Sequence, residues 1–378
     1  MKRILIDGTT ISRRIDGLTQ YILNVVLHLD SEKNQYTLLV RPHECPEDYR
    51  LQFLAKGISI EEADIAPIGP KRDIQFASYM RRHTCYDAAF IPSNQYPIAL
   101  HLPAIYVVHD LIYEEFPEQL GRMNRLKRWY LRMVVKVGLQ RAQHVVAVSN
   151  YTRGEIIRCH GNRYGGNIHV IYEGWEHLLN QNLDKRKASI QIDFQDYILY
   201  VGSSRGHKNL SRLIAAVKQC YHHLPEGTGI VIVGNTNMFT PVQIREIEEL
   251  NRSKKMIQLT GWLNGEALVE YFRNAKGLIF PSLSEGFGIP VLEAYYYKIP
   301  LLLSNQASLP EVAGDAAIYF NPYSIEDIAN TIVQFVREKD HGDLIRRQSV
   351  RLQQYSWKKT SSEIEQLIES LKIPCQGK

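Results

Sequence analysis

Short apolar runs alternate with amphipathic segments along the whole 378-residue chain. In the first half the strand-like runs are 3–7, 36–40, 88–91, 104–108, 144–148 and 168–172, with helical spacing in 18–29, 74–82, 124–139 and 151–159. The second half repeats the scheme, with strand-like runs at 197–201, 229–233, 257–260, 277–280 and 300–303 and helical segments at 210–221, 241–250, 265–274 and 289–297. The strand-like runs are apolar on both faces, as strands of a sheet covered on both sides are. Strand and helix in alternation predict parallel sheets. Two sets of roughly five strands predict two doubly wound α/β domains in place of one oversized sheet. The stretch 174–195 is polar and reads as a linker, and beyond residue 322 only helical patterns remain, at 325–336, 344–352 and 362–371. The expected division is 1–180 and 181–357, with a tail, 358–378, packing back on the first domain.

Length agrees with two domains at about 100–200 residues each. Hydrophobic residues make up 44% and charged residues 22%, which excludes disordered, collagen-like and coiled-coil chains. A net charge of +5 is too weak to imply a nucleic-acid partner, but it suits phosphate ligands or an anionic membrane. The five cysteines form no CxxC pair, so neither a disulfide framework nor a zinc site is expected. The apolar run at 4–6 is too short for a leader, and no run reaches membrane-spanning length, so the cytoplasm is the expected compartment.

In open parallel sheets ligands bind beyond the carboxyl ends of the strands, so the residues there carry the functional reading. After 197–201 comes Gly202-Ser203-Ser204-Arg205-Gly206-His207-Lys208, a small-residue turn leading into a helix. Its backbone N–H groups, the helix start and three cationic side chains suit a phosphate or diphosphate, although a solvated surface turn has the same composition. It is neither a Walker A loop nor GxGxxG. After 277–280 comes Pro281-Ser282-Leu283-Ser284-Glu285-Gly286-Phe287-Gly288-Ile289-Pro290, with Glu293 in the following helix. Two glycines allow a ligand close to the backbone, Pro290 suits a first helical turn, and two carboxylates can accept from vicinal hydroxyls. His109 follows the run 104–108, where a buried strand would prefer Val or Ile; it reads either as facing the ligand site or as a structural histidine tied to a neighbouring carboxylate. Gly17 opens the first long helical segment, and Ser149 reads as a helix N-cap. With no DxD and no cluster at metal-ligand spacing, no metal cofactor is expected, and phosphate charge falls to protein cations and helix ends.

These motifs together resemble the retaining GT-B glycosyltransferases of family GT4. The likeness is densest in YILYVGSSRGHKNL, GLIFPSLSEGFGIPVLEA and LLLSNQASLPEVAGDAAIYFNP; VVHDLIYEEFPE and VSNYTRGEI are similar to the bacterial mannosyltransferase-like branch. The resemblance implies a GT-B fold, two Rossmann-like domains facing an interdomain cleft. By position it implies that Glu285 contacts donor-sugar hydroxyls, with Gly286, Phe287, Gly288 and Ile289 holding sugar and diphosphate. Glu293 would accept from the ribose, Lys208 would meet the diphosphate, and His109 would lie near the anomeric region. Gly261, Trp262 and Leu263 would hold the base through backbone groups. The family's arginine after the turn glycine is Ser203 here; Arg205 is taken as the second phosphate cation, with His207 in reserve. Gly17 follows Asp16 in place of a glycine pair, which weakens its expected phosphate contact.

The implied reaction moves a hexose from a nucleoside-diphosphate sugar, GDP-mannose favoured, to a glycan or lipid-linked acceptor in surface polysaccharide synthesis, without a cofactor. The stretch 121–143 holds seven basic residues and no acidic one. Arg125, Arg128, Arg132 and Lys136 lie on one helical stripe, with Trp129, Tyr130, Met133, Val134 and Val137 to one side, a pattern that suits the inner face of an anionic membrane as well as a solvated helix edge. Two other readings are a nucleotide-sugar 2-epimerase of the same form and a non-catalytic nucleotide-sugar binder.

Overall fold

A computed structural model describes residues 1–120, 124–181, 190–263 and 265–373. The chain divides into two compact units, Met1–Gly174 with Ser356–Lys378, and Trp175–Tyr355. The first crossing therefore comes at 174/175, at the very start of the stretch 174–195 read as a linker. Residues 175–181 belong to the second unit and include a short helix, His177–Gln181, while 182–189 lie outside the described residues.

The first unit is built on a parallel sheet of seven strands in the order β3-β2-β1-β4-β5-β6-β7. They are β1 (Arg3–Asp7), β2 (Gln35–Val40), β3 (Ser59–Glu62), β4 (Ala88–Ile91), β5 (Ala104–Val108), β6 (His144–Ala147) and β7 (Ile168–Val170). Every residue of β4 and β5 is buried, as helices on both faces require. Leu5, Val108, Val134 and Ile156 belong to its core. The second unit repeats the plan with six strands, β8 (Asp196–Val201), β9 (Thr228–Val233), β10 (Ile257–Gly261), β11 (Gly277–Phe280), β12 (Leu301–Ser304) and β13 (Ile318–Phe320). Their order is β10-β9-β8-β11-β12-β13, again all parallel. Tyr200, Leu213, Ile230 and Ile332 lie in its core. In each sheet the order reverses direction at one place, between β1 and β4 and between β8 and β11. The crevice at such a reversal is where open α/β sheets receive ligands.

The sheets are wider than the roughly five strands expected. β3 is an edge strand of sequence SIEE with two carboxylates and no apolar run. β13 has only three residues. The unforeseen helix Glu47–Ala55 buries only Phe53, so it carries almost no periodic stripe.

The chain returns to the first unit through the helix Trp357–Ser370, capped by Ser356. Trp357 is fully buried, Ser361 Oγ donates to the Val25 carbonyl at 2.9 Å, and Thr360 Oγ1 donates to the Tyr172 carbonyl at 2.6 Å. Lys2 Nζ donates to the carbonyls of Ile368, Glu369 and Leu371, closing the helix's carboxyl end. Where the outgoing and returning segments pass, a Cβ on Gly174 would lie 2.0 Å from the Trp357 backbone nitrogen, so only glycine fits.

Candidate functional site

The two loops singled out in the second half of the sequence flank its sheet reversal, one after β8 and one after β11. Lys208 ends a short 3-10 turn, Gly206–Lys208, ahead of the helix Leu210–Cys220. Glu285 lies in the loop ahead of the helix Ile289–Tyr296. The two side chains meet, Lys208 Nζ to Glu285 Oε1, at 2.7 Å. They keep 20% and 11% of their side-chain surface, so the pair is not sealed from solvent. Lys208 also stands 5.2 Å from the centre of the Phe280 ring.

The loops beneath this pair are fixed by buried hydrogen bonds. Asn209 has a left-handed backbone, φ 59°, which Asn tolerates better than most residues. Its Nδ2 donates to the carbonyls of Pro281 at 3.0 Å and Pro322 at 2.7 Å. Leu283 N donates to the His207 carbonyl at 2.7 Å. On the other side Ser308 Oγ donates toward the carbonyls of Glu285 and Phe287, both at 2.9 Å. Gly288 caps the following helix at φ 108°, and a Cβ there would come within 2.9 Å of Leu309. Phe287 is buried edge-on against Tyr355 at 5.6 Å.

Of the other expected residues in this unit, Glu293 lies in the first turns of the helix begun at Ile289. Protein closely surrounds its carboxyl, and that desolvation raises its pKa to about 7. Gly202 continues β8 by donating to the Val233 carbonyl at 3.0 Å, and the Ser203 carbonyl accepts from Tyr200. Arg205 is exposed. His207 is 5% exposed, and burial lowers its pKa to about 4 despite Glu285 nearby. It is therefore neutral at pH 7 in the free protein, a correction to its reserve role as a cation. Gly261 ends β10 at a register shift, φ 78°, followed by the exposed Trp262 and the half-buried Leu263.

In the first unit His109 follows β5. Its ring Nε2 faces the Pro92 carbonyl at 2.9 Å, and Nδ1 lies 3.5 Å from Glu173 Oε1. Burial pulls the imidazole pKa down, but Glu173, the Pro92 carbonyl and Asp110 push it up by more, and the result is above the usual value. Glu173 has no counterpart among the sequence-derived candidates, though a carboxylate just beyond β7 is a strand-end signal of the same kind as His109. Ser149 caps the helix Asn150–His160 by accepting from Thr152 N at 3.0 Å, while Thr152 Oγ1 donates to the His109 carbonyl. Gly17 opens the helix Gly17–Leu27, but the Asp16 carboxylate already caps it by accepting from Thr19 N at 2.8 Å. A phosphate at Gly17 would meet that carboxylate's charge, which physically disfavours the contact.

The basic helix Asn124–Arg141 divides differently from its sequence pattern; residues 121–123 lie outside the described residues. Arg128 and Arg132 both reach the Glu114 carboxylate, at 2.6 and 3.6 Å. Tyr130 donates to Asp73 at 2.7 Å, and Val134 is buried. Trp129, read with Tyr130, Met133, Val134 and Val137 to one side of the basic stripe, is 65% exposed, as is Leu126. Among the described residues no helix is long and apolar enough to cross a membrane, and no three His, Cys, Asp or Glu side chains are grouped to hold a metal ion.

Two family descriptions match this chain, "Glycosyltransferase Family 4" over residues 15–176 and "Glycosyl transferases group 1" over 182–355. Among curated relatives, the O-antigen chain mannosyltransferase B of Escherichia coli is 24% identical over 69% of this chain and 68% of its own length. The serotype-specific mannosyltransferase WbdA of the same organism is 28% identical over 81% of this chain, which spans only 37% of WbdA. Among solved structures, HepE of Anabaena, crystallised with UDP and glucose, aligns over 98% of this chain and all of its own, with TM-score 0.73 and 16% identity. WaaG, a glycosyltransferase of lipopolysaccharide biosynthesis, aligns over 97% of this chain and all of its own, with TM-score 0.72 and 15% identity. With two Rossmann-like units of the GT-B fold, each matched by its own family description, the chain belongs to the glycosyltransferases, a family 4 domain followed by a group 1 domain.

Proposed function

We propose that this enzyme is a retaining mannosyltransferase that takes GDP-mannose as donor and a glycan or lipid-linked saccharide as acceptor in bacterial surface polysaccharide assembly. The observation that carries the donor site is the Lys208–Glu285 pair at the reversal between β8 and β11. The mannosyltransferase relatives support the sugar, and their O-antigen names support the pathway.

In this reading the donor's diphosphate takes Lys208 from Glu285, and the freed carboxylate accepts from sugar hydroxyls. Arg205, with the backbone at Gly202 and Ser203, adds positive potential. Glu293 accepts from the ribose, and backbone groups of Gly261, Trp262 and Leu263 hold the base. The anomeric carbon–oxygen bond breaks, its electron pair leaves with the diphosphate, and the acceptor oxygen attacks the same face. The acceptor's proton passes to the departing phosphate. Lys208 and the helix starts stabilise the leaving charge more in the transition state than before it. His109 is the first unit's contribution to the reaction.

The test is sugar transfer from a panel of GDP-, UDP-, ADP- and dTDP-sugars to polyprenyl-linked saccharides. Transfer that disappears in Lys208→Ala with the fold intact supports the reading. Donor converted without an acceptor would point to epimerisation, and binding without turnover to a non-catalytic role.

We also place the enzyme at an anionic membrane surface through Leu126 and Trp129, which stand exposed beside the exposed Arg125 and Lys136. Co-sedimentation with phosphatidylglycerol vesicles should be salt-sensitive and weakened when Arg125, Lys127 and Lys136 are all changed to Glu. No sedimentation at low salt contradicts this placement.

A further inference from the structure

The group around His109 is built from parts of the chain far apart in sequence. Tyr21, fully buried, sets its ring edge-on to His109 at 4.6 Å and edge-on to Trp357 at 5.7 Å. Trp357 begins the returning helix, whose Thr360 holds the Tyr172 carbonyl. The next residue is Glu173, 4% exposed, and the next is Gly174, pressed on the Trp357 backbone. The C-terminal helix thus fixes the residue on each side of Glu173 and, through Trp357, backs the Tyr21 ring that meets His109. Both ring nitrogens face acceptors, the Pro92 carbonyl and the Glu173 carboxylate. A neutral imidazole has one N–H and can satisfy only one of them; the imidazolium donates to both.

We propose that Glu173, clamped by the C-terminal helix, is a positioning residue that holds the His109 ring by Nδ1 and favours its doubly protonated form over the neutral one. The inference rests on the proposed reaction only for its effect on rate, because the pairing is a property of the free protein. The ionisable groups facing the ring are Glu173, Asp110 and the Tyr21 phenol, and burial holds that phenol neutral. Removing the Glu173 charge therefore leaves Asp110 as the only anion named among them, and the ring should lose its proton at lower pH. An opposite charge at this range moves a titration by about 1–3 units.

The experiment follows the ring NMR signals of histidine-labelled protein against pH, with His109 assigned by loss of its signal in His109→Gln. In Glu173→Gln, which keeps shape and removes charge, His109 should titrate at least about one unit lower than in wild type. If the titration is unchanged, with the other histidines also as in wild type, the proposal is overturned whatever the enzyme's activity. The kinetic arm measures kcat/KM for transfer against pH. Glu173→Gln should move the alkaline fall to lower pH, a loss of about tenfold above neutrality for a one-unit shift. The double variant His109→Gln/Glu173→Gln should be no slower than His109→Gln alone. A profile of unchanged shape, or a double variant well below the single, would show that Glu173 acts otherwise. Absence of transfer in wild type from every donor would overturn the proposed reaction, while the NMR titration still decides the pairing.

Discussion

The two sheets share one strand order over six of their strands, yet their reversal points are built in opposite ways. At the end of β1, Asp7 pairs with Arg72 of the helix Pro70–Arg82, and the side chains keep 0% and 1% of their surface. Thr9 donates to the same carboxylate from both its backbone nitrogen and its hydroxyl. At the end of β8, the Lys208–Glu285 pair keeps 20% and 11%. One reversal point holds a fully buried ion pair, and the other a pair in part open to solvent, which the proposed donor would separate. Topology alone marks both places; the surroundings of the charges decide which can bind.

The largest expected effects test that contrast. Arg72→Ala leaves a buried carboxylate unpaired and should cost about 3–5 kcal/mol of stability in urea unfolding. Lys208→Ala should cost less stability than Arg72→Ala, because this pair keeps more of its surface than the fully buried one. It should nonetheless slow transfer by about 10²–10³, as loss of a charge-stabilising donor does. Equal stability losses in the two variants would break the comparison.

A smaller effect is expected beneath the movable pair. Asn209→Gly keeps the left-handed backbone but frees two buried carbonyls from their donor, a loss of about 1–3 kcal/mol. Asn209→Ala should be worse still, since it adds backbone strain. If Gly matches wild type, the amide bridges do not support the loop. Both are read by thermal unfolding beside donor affinity.

The smallest effect concerns pH. The Glu293 carboxyl is raised from its ordinary 4.5 to about 7, so the folded chain holds this proton more tightly than the unfolded one. Stability from this group is present below the lower value, falls as pH rises toward 7, and is level above it. Glu293→Gln should therefore raise Tm at pH 8 and leave it unchanged near pH 4. Ribose hydroxyls prefer the ionised carboxylate, so nucleotide affinity should rise with pH through 7 in wild type and stay flat in the variant. A flat wild-type profile would remove Glu293 from the ribose.

Much of this was legible in the chain because strand ends carry their chemistry within a few residues. Lys208 and Glu285 lie just beyond apolar runs, each ahead of a helix, and the alternation of runs places both at carboxyl ends. What was not legible depends on packing between distant segments. Arg72 lies just ahead of the helical segment read at 74–82, and nothing near it in sequence marks its pairing with Asp7. Glu173 gains its role only when the C-terminal helix returns against Gly174. Arg128 and Arg132 look free in a basic stripe, yet both pair with Glu114, which is distant in sequence. The edge strand β3 escapes a hydrophobic-run reading because an edge tolerates carboxylates that a central strand does not.

The most direct measurement is a crystal structure with GDP-mannose bound. The account predicts the diphosphate within hydrogen-bond distance of Lys208, the 2.7 Å contact to Glu285 opened, sugar hydroxyls on Glu285 and the ribose on Glu293. A nucleotide sugar bound away from the ends of β8 and β11, with Lys208 still closed on Glu285, would contradict it.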